Sequence, residues 1–283
     1  MRDCRRSVPG AELVYDEEGQ GPLLVLVHGT GADASTWSAL MKECSAAYRV
    51  VAYDRRGYGR ATHPPVRDHR IHTADLAALI EHLGPPAHVV GWSSGAIIGL
   101  DLAIHHPRQV ASLTLLEAPL HGLRHPAPGM LKALAQAKLA QLRGRHQDGA
   151  RAFFRWASGT RDGGNAFDRA SEDARRRLLD HSRVVLAELD PGLHGPLGEH
   201  VSYADMASIV APMTWIVGGS SMPWYAQLAE RAKRAVPAID LVQLDGASHL
   251  MHTENPSALA AAIARAIERS SARPPERAEA AIS

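Results

Sequence analysis

Only two cysteines, Cys4 and Cys44, occur in 283 residues. They provide neither a disulfide framework nor the paired spacing of a zinc site, so a reducing cytoplasm is the expected compartment. Long apolar runs are missing too: no stretch reaches the length needed to cross a bilayer. Residues 1–6 are basic, but no apolar region of the signal-peptide kind follows them. Charge of one sign is equally scarce, with 31 Lys and Arg against 30 Asp and Glu. The densest basic run, Arg175-Arg176-Arg177, lies among acids and leucines at helical spacing. It reads as a solvated helix face, so no nucleic-acid partner is expected. The 16 histidines are scattered, with no His-x-x-x-His pattern beside an acid, and no glycine-rich phosphate loop is present. No metal, nucleotide or other cofactor is expected.

What the chain does have is a rhythm. Unalternated apolar runs at 23–27, 50–53, 87–90, 113–116, 213–217 and 239–244 read as strands buried on both faces. Helical patterns at 72–83, 95–105, 223–235 and 256–269 lie between or after them. Strand alternating with helix implies a doubly wound, mostly parallel α/β sheet. Such sheets put ligand sites at the carboxyl ends of their strands. His28, Asp54, Ser93, Glu117, Ser220 and Ser221 fall at such ends. The rhythm breaks between 120 and 207, where helical patterns at 130–143, 147–157 and 170–189 alternate with Gly/Pro-rich breaks. This reads as a helical cap, 120–207, inserted into a core of 1–119 and 208–270. The tail, 271–283, is rich in Ala, Arg, Pro and Glu, and is expected to be disordered.

The segment Gly91-Trp92-Ser93-Ser94-Gly95 joins one of the apolar runs to a helical pattern. Strand, tight turn and helix with serine at the apex form an arrangement that lifts one side chain clear of a sheet. Three further motifs accompany it: His28-Gly29-Thr30-Gly31, Asp54-Arg55-Arg56-Gly57-Tyr58-Gly59 and Gly246-Ala247-Ser248-His249. In this order, over about residues 11–270, the chain resembles the α/β-hydrolase fold superfamily, in its serine-nucleophile branch. The resemblance implies eight strands, mostly parallel, with the cap inserted after the sixth.

A serine is a weak nucleophile without a base, and His249, after the last strand, is the candidate. His252, three residues on, reads as a bystander or pocket lining. Oxyanion stabilisation needs two preorganised N–H donors. Ser94 N–H is one, and the resemblance implies Thr30 N–H as the other. His28 is expected to brace its loop, and Asp54 to anchor one. Most members of the superfamily carry the triad acid after the seventh strand. Here that segment, Gly218-Gly219-Ser220-Ser221-Met222-Pro223, holds no carboxylate. Glu117 is the candidate substitute, because a carboxylate ending an apolar strand is costly unless paired. The acid placement is similar to that of lactone hydrolases that open zearalenone. A structural Glu117 paired with an arginine such as Arg124 is the alternative, and Asp245 is a second candidate acid.

Serine at the elbow argues against the dehalogenase and epoxide hydrolase branches, which need a carboxylate there. It favours acyl transfer through an acyl-enzyme, on a small apolar ester or lactone. Trp37, Trp92, Met130, Phe153, Trp156, Met222 and Trp224 are candidate pocket residues. Other chemistry of the same triad (C–C bond hydrolysis, hydroxynitrile lysis, perhydrolysis) and a low-turnover ligand receptor remain alternatives.

Overall fold

The structure, a computed structural model, describes residues 2–190 and 195–271. The expected disordered tail lies outside them, apart from the helical backbone of Ser271. The chain opens with an antiparallel hairpin, β1 (Cys4–Val8) and β2 (Ala11–Glu18). Neither strand stands out in the sequence, because both mix charged with apolar residues. β1 forms the sheet edge, where Arg5 and Arg6 discourage further pairing.

The other strands are β3 (Leu23–Val27), β4 (Arg49–Asp54), β5 (Ala87–Trp92), β6 (Val110–Leu116), β7 (Met213–Gly218) and β8 (Asp240–Leu244). Their order is β1-β2-β4-β3-β5-β6-β7-β8. β2 runs antiparallel to β4, and every later pair is parallel. The sheet is thus eight-stranded and mostly parallel, as the resemblance implied.

Helices α1 (Ser38–Cys44), α2 (His69–Leu83) and α3 (Ser94–His105) precede the insertion. The insertion carries α4 (Met130–Leu142), α5 (His146–Ala157), α6 (Ala166–Arg169), α7 (Glu172–Asp180), α8 (Ser182–Glu188) and α9 (Tyr203–Ala207). After it come α10 (Pro223–Ala235), α11 (Met251–Glu254) and α12 (Pro256–Ser271). β3 shows why the strand runs are unbroken. Its Leu24 and Leu26 pack with Leu40 of α1 and Ile263 of α12. Its Val25 and Val27 pack with Leu76 of α2 and Leu100 of α3. Both faces are covered, so neither needs polar residues.

The single helix expected over 170–189 is two. His181 caps the end of α7 and the start of α8, and its Nε2 lies 3.1 Å from Asp33 Oδ2 on the core. The break turns Val185, Leu186 and Glu188 inward from a mostly exposed α7. α9 falls inside the expected cap, yet it packs on α3 and α10, with Met206 in the main core. Among the described residues no helix is long and apolar enough to cross a membrane.

Candidate active site

β5 ends at Trp92 and α3 begins at Ser94, so Ser93 takes the whole turn, at φ 54° and ψ −121°. Side chains other than glycine rarely occupy that positive φ, which the surroundings must enforce. The flanking glycines explain how. A Cβ on Gly91 would lie 2.4 Å from Gly95 O, and one on Gly95 would lie 2.3 Å from Val27 O. No larger residue fits at either position without moving backbone. Ser93 N–H donates to Leu116 O at 2.9 Å, which fixes the turn to β6.

Glu117 follows β6 directly, also at positive φ (46°), and is fully buried. Its Oε1 accepts the Gly218 N–H at 2.7 Å, and its Oε2 lies 2.7 Å from His249 Nδ1. A carboxylate accepts, so Nδ1 carries the proton and Nε2 keeps its lone pair in the neutral ring. Gly218, the last residue of β7, therefore supplies a backbone donor to the Glu117 carboxylate. Asp245 is exposed and accepts from Gln243 Nε2 at 2.7 Å. Arg124 pairs with Glu199 at 3.1 Å, so it is not the partner of Glu117.

Two further residues, Trp92 and Tyr225, hold His249. Trp92 Nε1–H donates to its carbonyl at 2.8 Å. The Tyr225 ring stacks on the imidazole, with centroids 4.5 Å apart and planes 10° from parallel. Tyr225 OH donates to Ala157 O of α5 at 2.8 Å and lies 3.4 Å from His249 Nε2. Burial, and then the charge of Glu117, push the phenol well above its ordinary range, so it stays neutral. Tyr225 carries no signal in the sequence beyond that of an aromatic at helical spacing.

Thr30 and Ser94 face each other, with Thr30 Oγ1 donating to Ser94 Oγ at 2.9 Å. Both residues are buried. Among the described residues, neither backbone N–H has a hydrogen-bond partner. Buried amides are rarely left unpaired. The Ser94 N–H also opens α3, where the helix dipole favours negative charge. Behind this loop His28 Nδ1–H donates to Gly29 O at 2.8 Å, and Nε2 accepts Arg55 N–H at 3.0 Å. Burial and then Arg55 lower its pKa to about 3, so the ring is a neutral brace. Asp54 accepts from Ala34 N at 2.7 Å and from Arg60 N at 2.9 Å, and so anchors two loops.

Ser93 and His249 line one small space with Thr30, Trp92 and Phe153. No hydrogen bond joins Ser93 Oγ to His249 among the described residues. A second small space adjoins Ser93 beneath Trp156, Trp224 and Tyr225. Each measures about 20 Å³, room for about one water. Of the seven expected pocket residues, Trp92, Phe153, Trp156 and Trp224 thus reach the surroundings of Ser93. Three do not. Trp37 is fully buried in the core behind His252, 4.9 Å from its ring. Met130 and Met222 pack with Trp224 and Leu228 and tie the insertion to α10. Trp37 and Met130 serve the core, and Met222, half-buried, packs against the edge of the Trp224 cluster.

The profile of the Alpha/beta hydrolase family matches residues 24–262. The uncharacterized hydrolase YraK of Bacillus subtilis is 41% identical over 122 residues, which is 42% of this chain and 45% of that protein. A pimeloyl-[acyl-carrier protein] methyl ester esterase of Methylococcus capsulatus is 37% identical over 42% of this chain and 46% of its own length. These matches span less than half of the relatives concerned. A protein of the same name from Aeromonas hydrophila is 28% identical over 84% of this chain and 92% of its own length. Among solved structures, the enol-lactonase of Burkholderia xenovorans superposes with a TM-score of 0.74 at 19% identity, covering 94% of this chain and all of that one. An alpha/beta hydrolase of Sphaerobacter thermophilus superposes with a TM-score of 0.70 at 25% identity, covering 92% and 98%. With the profile running through most of the chain and the sheet built in this order, the protein belongs to the alpha/beta hydrolase family.

Proposed function

We propose that this chain is a serine hydrolase that cleaves a carboxylic ester or lactone through an acyl-enzyme, with Ser93 as nucleophile, His249 as base and Glu117 as the acid that orients it. The observation that carries the reading is the buried 2.7 Å contact between Glu117 Oε2 and His249 Nδ1, beside a serine held on a strained turn. With Nδ1–H engaged, Nε2 is the atom free to take the Ser93 proton. The developing imidazolium then lies against a buried carboxylate, which stabilises it. Oγ attacks the carbonyl carbon, and the carbonyl oxygen gains charge. The unpaired N–H groups of Thr30 and Ser94 are the donors suited to receive it, each contributing roughly 10²–10³ in rate. His249 returns the proton to the leaving oxygen, and water repeats the sequence to release the acid. The open Ser93–His249 geometry is compatible with this, since such contacts often tighten only with substrate bound.

Several comparisons support the ester reading. Relatives bear the name of a methyl ester esterase, and similar folds bear lactonase names. A haloalkane dehalogenase also shares the fold, but serine at the elbow does not suit chemistry that needs a carboxylate nucleophile. Phe153, Trp156 and Trp224, with Trp92, form the substrate walls, under a cap contributed by the 120–207 insertion. The reaction needs no cofactor. Both thiols are free, which suits a reducing compartment such as the cytoplasm.

A fluorophosphonate probe tests the reading. It is expected to label Ser93 in the folded protein, and the label should be absent in Ser93→Ala. Folded protein that resists the probe would overturn the proposal. A panel of p-nitrophenyl esters and macrolactones then separates ester hydrolysis from C–C bond cleavage, hydroxynitrile lysis and perhydrolysis.

A further inference from the structure

The two spaces that leave Ser93 differ in chemistry. One runs under Trp156 and Trp224, with Pro119 and Leu197 as walls, and includes Ser94 but not His249. The other includes His249 and passes Trp92, Leu178 and Leu250. Those last three residues also line a larger cavity of about 250 Å³, whose lining includes Thr36 and His252 as well. In acyl transfer the protonated base hands its proton to the leaving oxygen, so the alcohol portion lies on the side of the histidine. The apolar space without His249 then takes the acyl chain, and the cavity behind Trp92 takes the alcohol.

Most polar groups of that cavity are already engaged. Asp33 accepts from Ser35 N at 2.9 Å and faces His181, Arg177 is paired with Asp173, and Thr253 Oγ1 donates to Leu250 O at 2.9 Å. His252 is the exception. It is 1% exposed, and its ring is flanked by Trp92 at 4.3 Å and Trp37 at 4.9 Å. Nε2 lies 2.9 Å from Thr36 Oγ1, while Nδ1 is buried with no partner. Burial, then the nearby His249, lower its pKa to about 3, so the ring is neutral. Nδ1 has almost no accessible surface, so a ligand group reaches it only as Trp92 or Leu250 shifts, and pairing then recovers the cost of the unpaired ring nitrogen. The Thr36 hydroxyl can donate to Nε2 or accept from it, so Nδ1 can serve as donor or acceptor. A hydroxyl, itself both, matches a neutral atom of this kind.

Taking the ester-hydrolase reading as its basis, we propose that the cavity behind Trp92 is the alcohol subsite and that His252 recognises a hydroxyl on the leaving alcohol. The preferred substrate is then an ester of an apolar acid with a polyol-type alcohol. In the step concerned the Ser93 Oγ–acyl bond forms and the ester C–O bond breaks. The proton that His249 took from Ser93 goes to the departing alcohol oxygen, and His252 binds a different hydroxyl of that alcohol.

Glyceryl monobutyrate and propyl butyrate share an acyl group and differ in alcohol hydroxyls. The ratio of their kcat/KM values, divided by their ratio for hydroxide hydrolysis, removes intrinsic reactivity. The expected wild-type ratio favours the glyceryl ester by tenfold or more. It should fall toward one in His252→Leu and in Thr36→Val, which frees the ring from its anchor. A wild-type ratio near one would overturn the subsite, as would a preference that both variants retain. If His252→Leu does not fold, the wild-type ratio and Thr36→Val still decide. Hydrolysis of neither ester, with no fluorophosphonate labelling of Ser93, would overturn the underlying ester-hydrolase reading as well. Labelling together with hydrolysis at a ratio of one overturns the subsite alone.

Discussion

Arg55 and Glu188 form a two-pronged ion pair with neither side chain exposed to solvent. Nη1 lies 3.0 Å from Oε1, and Nη2 lies 3.4 Å from Oε2. The pair joins the loop after β4 to helix α8 of the insertion. Tyr58 OH donates to the same carboxylate, and His69 Nε2 lies 2.6 Å from Oε1. Burial alone would raise the Glu188 pKa, but Arg55 and then His69 more than offset it, and the group is held well below the usual carboxylate range. Burial keeps His69 below its ordinary value despite that partner, so it donates as a neutral ring.

Glu188→Ala should therefore cost about 3–5 kcal/mol, because it leaves the Arg55 charge buried without its partner. Thermal or urea unfolding measures this. A change under 1 kcal/mol would show that the ion pair between Arg55 and α8 contributes little. Arg55→Met with Glu188→Leu, which removes both charges, should recover much of the loss.

Glu117→Gln should lower kcat by a factor of roughly 10²–10⁴ while leaving the unfolding midpoint almost unchanged. The amide oxygen can still accept the Gly218 N–H. The amide NH₂ then faces His249 Nδ1 and favours the tautomer with its proton on Nε2, which cannot take the serine proton. Asp245→Asn should change kcat by less than about twofold, because Asp245 is exposed and bonded to Gln243. Steady-state kinetics on one p-nitrophenyl ester decides, and the reverse ranking would transfer the acid role to Asp245.

What was legible in the chain follows from where each signal resides. The runs behind β3 to β7 are largely apolar because both sheet faces are covered, and that pattern is local, whereas β8, at the far edge, is mostly half-buried and carries Asp240 and Gln243. The β1–β2 hairpin lies at the edge with charged residues on it, so no local pattern separates it from a loop. The meeting of Glu117 with His249 could be anticipated because a carboxylate closing an apolar strand needs a partner. Nothing comparable marks Glu188. Its partner Arg55 is 133 residues away, and a lone acid in an amphipathic helix looks like any solvated one. Tyr225 was missed for a related reason. An aromatic at helical spacing carries no information about whether its face meets the core or the His249 ring. Trp37 and Met130 show the opposite case, being near the site in sequence terms and in the core in space, while Met222 packs half-buried beside Trp224.

Acid should destabilise the fold well above the carboxylate range. His28 and His252 are buried with pKa values of about 3, against an ordinary 6.5. Between those values the unfolded chain binds more protons than the folded one, so stability is full above about pH 6.5 and falls as pH drops. Each group contributes about 1.4 kcal/mol per pH unit within the window. Together they predict a loss of roughly 4 kcal/mol between pH 7 and pH 5. His72, buried with neither ring nitrogen partnered and lowered well below its ordinary value, acts in the same direction. Urea titrations at pH 7, 6 and 5 report the slope, and a flat or rising stability toward pH 5 would contradict the neutral, buried state of these rings.

The acyl side should respond to carving. The space under Trp156 and Trp224 holds about 20 Å³, so an acyl chain of any length must displace side chains or find room already made. Trp156 is the wall whose removal costs least, since it is half-buried and its indole N–H has no partner. Trp156→Ala should open that space toward solvent. Each additional buried methylene is worth about 0.8 kcal/mol, close to fourfold in kcat/KM. The variant should accordingly shift preference from p-nitrophenyl acetate or butyrate toward the octanoate by tenfold or more relative to wild type. Tyr225, which stacks on His249, is anchored to Ala157 one residue further along α5, so the rate of Ser93 labelling shows whether the His249 ring has been disturbed at the same time. If fluorophosphonate labelling of Ser93 keeps its wild-type rate while chain-length preference does not move, the acyl chain lies elsewhere and the assignment of the two sides must be exchanged.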